Sequence, residues 1–226
     1  TSSTGVTVSG VEAGATWQYS SDSGSTWSAA QAAATTSFNL AEGTYATGAV
    51  QVRQTDVAGN VSSLSSAFKF SIATPPVVID LNHDGLISYS QVVMDVDGDG
   101  QLDHTAWVGA TDGLLVWDAA HDGVVHDRSQ YVFATQPGQT DLQGLAQRFD
   151  SNHDGVFDAT DTAFADFAVW QDANQNGVSD AGEVKSLAEL GLASFSLSND
   201  GVARNPVDGV HEAGHTTATA TDGTQV

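Results

Sequence analysis

Cysteine is missing from the whole chain, which excludes disulfides, cysteine metal sites and cysteine nucleophiles. An extracellular setting stays open, because calcium can supply the cross-linking that disulfides supply elsewhere. Basic residues are scarce: 6 Lys and Arg stand against 28 Asp and Glu, for a net charge of -22. Nucleic acid and anionic membrane surfaces would repel such a chain, so neither is expected as a partner, and bound cations are expected to balance the charge. No run approaches the ~18 apolar residues of a membrane span. The only methionine is Met94, too few for a sensor that works by baring a Met-rich groove. The opening TSSTGVTVSG has no basic stretch or apolar core. It reads as the start of an excised piece of a longer chain, or of a chain whose export signal lies elsewhere.

A length of 226 residues holds one large domain or two ordinary ones. The charge divides it. Residues 1–74 hold four acidic residues (Glu12, Asp22, Glu42, Asp56) and two basic ones, whereas residues 75–198 hold twenty acidic against three basic (Arg128, Arg148, Lys185). The change falls at Thr74-Pro75-Pro76, a stiff joint that neither neighbour continues through. Two domains, 1–74 and 75–226, are expected.

In the first, VTVSGV, ATWQYSSDSGSTWSAA, TSFNL, GAVQVRQTD and SAFKFSI are strand-like runs separated by turn residues such as Asp22-Ser23-Gly24. Trp17, Tyr19, Val50, Val52, Phe68 and Phe70 alternate with polar neighbours, the period of strands with one buried face. A small all-β sandwich follows. WQYSSDSGSTW and LAEGTYATGAVQVRQTDVAGNVS resemble the immunoglobulin-like repeats of very long bacterial surface adhesins. The resemblance implies an immunoglobulin-like spacer. Trp17 and Trp27 read as core and hairpin packing, with a sugar-stacking platform as the alternative.

The second domain carries the chemistry. An EF-hand loop places oxygen ligands at positions 1, 3, 5, 7, 9 and 12, with glycine at 6. Asp172, Asn174, Asn176, Val178 (through its carbonyl), Asp180 and Glu183 match every position around Gly177. Asp150, Asn152, Asp154, Val156, Asp158 and Asp161 match around Gly155, with a shorter carboxylate at the end. LQGLAQRF and VKSLAELG read as the flanking helices, Gly191 as a C-cap. Two partial loops follow the template less far. Asp95, Asp97, Asp99, Gln101 and Asp103 surround Gly100, but position 12 is Ala106; Asp80, Asn82, Asp84, Leu86 and Ser88 surround Gly85, but position 12 is Gln91. A carboxylate from elsewhere would have to complete each. Asp118, Asp122, Gly123 and Asp127 have Ala120 at position 3 and His126 at position 9, and read as a decayed site kept as a turn, with an occupied site as the alternative. Calcium is thus the expected cofactor, with several ions, roughly three or more. His83, His121 and His153 fall at position 4, which faces outward.

PPVVIDLNHDG, TAWVGATDGLLVWD, FDSNHDGVFDATDTAFADFAVWQDANQNGVSDAGEVKSLAELG and LASFSL resemble the calcium-binding, self-processing module of bacterial RTX proteins of the FrpC-like type. The resemblance implies type I export and folding on calcium outside the cell. In some members it also implies scission of an Asp-Pro bond through an aspartyl anhydride. Pro76 falls where that proline stands, but Pro75 occupies the aspartate's place. The four prolines follow Thr74, Pro75, Gln136 and Asn205, so no Asp-Pro bond exists and no catalytic residue is expected.

Other chemistry is poorly supported. His211-Glu212-Ala213-Gly214-His215 matches H-E-x-x-H, which works only on a helix; Gly214 and the following TTATAT argue for an extended stretch and a chance match. Paired carboxylates are many, yet they fall on calcium ligand positions. LLVW, YVF, FADFAVW and LASFSL supply a core, with Trp107, Trp117 and Trp170 in it and an exposed ligand platform as the alternative for these three. The expected fold is an N-terminal all-β immunoglobulin-like sandwich and a C-terminal α+β calcium-binding domain with EF-hand-like loops. The expected function is a non-enzymatic, calcium-stabilised module of a secreted or surface-anchored bacterial adhesin, active in cell adhesion and biofilm, with the neighbouring domains of a longer chain as partners. A calcium-dependent head for a host or matrix sugar or peptide is the alternative; self-processing is disfavoured.

Overall fold

The computed structural model describes residues 4–40, 43–67, 70–72, 76–94, 103–136, 139–207 and 210–226. The chain forms two compact units, residues 3–73 and 74–226.

The first unit is all-β among its described residues. Its strands are β1 (Thr4–Thr7), β2 (Thr16–Ser20), β3 (Gln31–Ala32), β4 (Ser37–Leu40), β5 (Gly43–Tyr45), β6 (Gln51–Thr55) and β7 (Phe70–Ile72). They pair antiparallel as β3-β2-β6, β1-β4 and β5-β7. Trp17, Phe38, Leu40 and Val50 are buried together, and Tyr19 stacks on Phe38 with ring centroids 4.0 Å apart. The turn after β2 needs positive φ at Ser23 and Gly24. Asp22 stabilises it by accepting the amide and hydroxyl of Thr26 at 2.8 and 2.6 Å.

The second unit contains β8 (Val78–Ile79), β9 (Tyr89–Met94), β10 (Asp103–Val108), β11 (Gly113–Trp117), α1 (Asp141–Phe149), β12 (Val156–Asp158), β13 (Phe167–Trp170), β14 (Val184–Ser186), β15 (Leu192–Ser196) and β16 (Ala218–Ala220). The antiparallel sheet β14-β13-β11-β8 lies at its centre, with the hairpin β9-β10 and the sheet β12-β15-β16 beside it. LLVW and FAVW form β11 and β13, buried on both faces, which explains why they read as continuous apolar runs. Side chains of a strand alternate between faces, so this sheet is a wall between two cores. Leu115, Phe167 and Val169 face α1 and the β12-β15-β16 side, meeting Phe133, Leu145, Phe149, Phe157 and Phe195. Leu114, Val116, Ala168 and Trp170 face the β9-β10 hairpin and Trp107.

The expectation of an α+β domain with EF-hand-like loops is overturned. Among the described residues the chain is nearly all-β, with 30% strand, 8% helical and one α-helix. LQGLAQRF does form α1, which opens on a capping box between Thr140 and Gln143. No α-helix follows the first loop: beyond Asp161 the chain makes one 3-10 turn, Phe164–Asp166, and enters β13, while Val156 and Phe157 within the loop pair with Ser196 and Phe195. VKSLAELG is not a helix either. Val184, Lys185 and Ser186 pair with Trp170, Val169 and Ala168, and only one turn's length remains before Gly191 at φ +68°. Cross-strand packing against β13 outweighs the weak helix propensity of so short a segment.

Candidate functional site

The acidic loops share one backbone. In those starting at Asp80, Asp118 and Asp150, position 4 is a histidine with φ of 59°, 52° and 59°; in the loop at Asp172 it is Gln175 at 58°. Histidine tolerates this left-handed region better than most residues. Two residues later Gly85, Gly123, Gly155 and Gly177 adopt φ of 81°, 70°, 81° and 70°, where a Cβ would be strained.

The first aspartate closes each turn. The amides of Gly85, Gly123, Gly155 and Gly177 donate to Oδ2 of Asp80, Asp118, Asp150 and Asp172 at 2.7, 3.0, 3.1 and 2.8 Å. Position 3 accepts the amide of position 5: Asp84 to Asn82, Asp154 to Asn152 and Asn176 to Asn174, each at 3.1 Å. Position 5 accepts from position 7: Leu86 to Asp84 at 2.9 Å, Val124 to Asp122 at 3.1 Å, Val156 to Asp154 at 2.9 Å and Val178 to Asn176 at 2.7 Å. The valine and leucine carbonyls thus follow from a fixed turn.

Position 12 closes the two complete loops. Asp161 accepts the amides of Ser151 and Asp158 at 2.7 and 3.1 Å. Glu183 accepts those of Ala173 and Asp180, both at 3.1 Å. Asp180 also takes the side-chain amides of Asn174 and Asn176, which hold its carboxyl below the usual range. Thr160 does the same for Asp158. The structure therefore gathers the expected ligand positions at 150–161 and 172–183 into closed loops.

The other expected residues fare differently. Asp95, Asp97, Asp99 and Gln101 lie outside the described residues, and Asp103 is described only as the first residue of β10. The loop at Asp118 keeps the shared turn with its histidines engaged: His126 Nε2 lies 2.9 Å from Asp122 Oδ2, and His121 Nε2 lies 3.0 Å from Asp166 Oδ1. The H-E-x-x-H stretch is not helical. Glu212 bridges Arg204 through the backbone, accepts Tyr89 Oη at 2.7 Å and meets His215 Nε2 at 2.9 Å, while His211 pairs with Asn205. Burial, first, and then this bond to Glu212 push the Tyr89 phenol far up.

Two tryptophans that the template does not contain hold the second complete loop. Trp107 donates to Asp172 Oδ2 at 2.9 Å, and Trp170 to Glu183 Oε2 at 3.3 Å. Only the placement of Trp170 two residues before Asp172 hinted at this. Both indoles are buried and pack edge to face at 5.3 Å, so neither is a platform for sugar. Trp17 is buried too, and Arg53 covers Trp27 at 3.9 Å from its centroid.

Among the described residues, no three His, Cys, Asp or Glu side chains stand together as a metal cluster. The loops explain this: their carboxylates accept backbone amides, and much of the oxygen set is asparagine or carbonyl. Yet Asp150, only 7% exposed, keeps Oδ1 buried without any hydrogen-bond partner, and so does Asp80. A buried carboxylate oxygen with no donor is costly unless a cation or proton meets it. The donor set, hard and all oxygen, fits calcium.

The family described as SPM domain matches residues 77–226. The chain belongs to that family. It is also 35% identical over 161 residues to "Iron-regulated protein FrpA" of Neisseria meningitidis serogroup C. The match takes in 66% of the chain but only 14% of that relative, so the chain spans about one seventh of its length. The SPM region contains all four of the described loops. No helix among the described residues is long and apolar enough to cross a membrane.

Proposed function

We propose that the chain is a non-enzymatic, calcium-stabilised structural module of a secreted or surface-attached bacterial RTX adhesin, which folds on calcium outside the cell. The observation that supports this most is the unpartnered, buried Oδ1 of Asp150 inside a loop whose other carboxylates, Asp154, Asp158 and Asp161, each accept hydrogen bonds. Loops 150–161 and 172–183 would hold the ions, and bound calcium would add its binding energy to the fold. Millimolar-range affinity suits extracellular modules, so the chain would stay less ordered where calcium is scarce. Pro75 provides no carboxylate beside Pro76, which speaks against an aspartyl anhydride and so against self-processing.

Calcium titration of the metal-stripped chain, with far-UV circular dichroism at each step, tests the reading. Several ions per chain, with structure gained in residues 75–226, are expected. Binding of none, with the fold indifferent to chelator, would overturn it.

A further inference from the structure

The loop that starts at Asp80 matches the ligand template through position 9 and then stops, because position 12 is Gln91. In the complete loops the carboxylate at position 12 accepts the amide of position 9, from Asp158 to Asp161 and from Asp180 to Glu183. Position 9 of the Asp80 loop is Ser88. Its amide donates to Asp112 Oδ2 at 2.8 Å and its hydroxyl to the same oxygen at 2.5 Å. Asp112 therefore makes the contact that position 12 makes elsewhere, from a different part of the chain.

The sheet brings it there. Gly113 of β11 pairs with Ile79 of β8, so Asp112 and Asp80 stand one step beyond that pair at the same end of the ladder. The turn before Asp112 folds back on the loop: Gly109 donates to Ser88 O at 2.8 Å, and Asp112 donates to Gly109 O at 3.1 Å. A Cβ on Gly109 would collide with the Ser88 side chain, so glycine is required for this approach. Asp112 is wholly buried. Its Oδ1 has no hydrogen-bond partner, and neither has Asp80 Oδ1.

We infer that Asp112 is a cation ligand that completes the Asp80 loop, in the role the twelfth residue has in the other loops. Asp80, Asp84 and Asp112 supply three carboxylates, with the Asn82 side chain and the Leu86 carbonyl as further oxygens, and the ion is calcium. The inference rests on the calcium reading above and adds a residue that the loop's own spacing does not contain.

Crystals of the whole chain grown with calcium chloride, read by anomalous scattering, test it beside calcium titration of the parent and Asp112→Asn. An ion bonded to Asp80 and Asp112 oxygens at about 2.3–2.6 Å is expected. Asp112→Asn is expected to remove one ion from the stoichiometry or to weaken one site about tenfold or more. Ions at 150–161 and 172–183 with none at Asp112 would overturn this inference and leave the calcium reading standing. No ion anywhere would overturn both. An unchanged titration for a folded Asp112→Asn also overturns it, and if that variant does not fold, the parent crystals decide.

Discussion

The indole N–H of Trp107 donates to Asp172 Oδ2 at 2.9 Å, with both residues buried. This bond ties the core behind the β9-β10 hairpin to the first residue of an acidic loop 65 positions away. Trp107→Phe keeps most of the packing but leaves Asp172 Oδ2 with the Gly177 amide alone. The expected loss is about 1–3 kcal/mol of stability, read as a lower urea midpoint with unchanged slope. Tryptophan emission of the parent should also shift on calcium addition, because Trp170 reaches Glu183 of the same loop.

Asp150→Asn keeps an acceptor for Gly155 while removing the charge that a cation would meet. Calcium titration should show one fewer ion or a site weaker by roughly tenfold. An isotherm matching the parent's would mean that Oδ1 of Asp150 meets no ion. Chelation of the parent should raise amide exchange in residues 75–226 and leave residues 16–20 and 51–55 protected.

Gly144 lies within α1, where alanine would normally gain about 1 kcal/mol of helix propensity. Packing opposes the gain. A Cβ there would collide with the backbone of Phe133 and Ala134, the segment whose amides are held by Asp141 at 2.8 and 2.7 Å. Backbone pinned in this way cannot yield cheaply, so Gly144→Ala should destabilise the second unit by about 1–3 kcal/mol. Urea denaturation followed by far-UV circular dichroism checks the sign.

Acid should weaken the first unit through Asp22. The Thr26 hydroxyl first, then the Thr26 amide and the Ser20 hydroxyl, hold its carboxyl down to about 2, against about 3.9 in an unfolded chain. A depressed carboxylate contributes stability that is complete above the unfolded value and lost as pH falls through the folded one. The window is therefore about pH 4 down to about pH 2. Amide exchange of residues 16–20 should accelerate across it in the parent and respond less in Asp22→Asn.

Much of the loop geometry was legible in sequence. The spacing Asp150-Asn152-Asp154-Gly155 dictates a turn that only glycine at position 6 and a tolerant residue at position 4 adopt cheaply, and these constraints are local. The strands of the first unit were legible for a similar reason, since alternation around Trp17 and Tyr19 records one buried face.

The frame around the loops was not. VKSLAELG has a helical composition, but Val184 and Ser186 lie against β13, and ladder pairing with Trp170 and Ala168 decides their conformation. What the sequence by itself determined is where the chain turns, which residues line each loop and how acidic they are, because those depend on neighbours within a dozen residues. Only the tertiary structure decided which distant groups close the loops. Trp107 reaches Asp172 and Asp112 reaches Ser88 because antiparallel pairing and burial bring together residues with no spacing to reveal them.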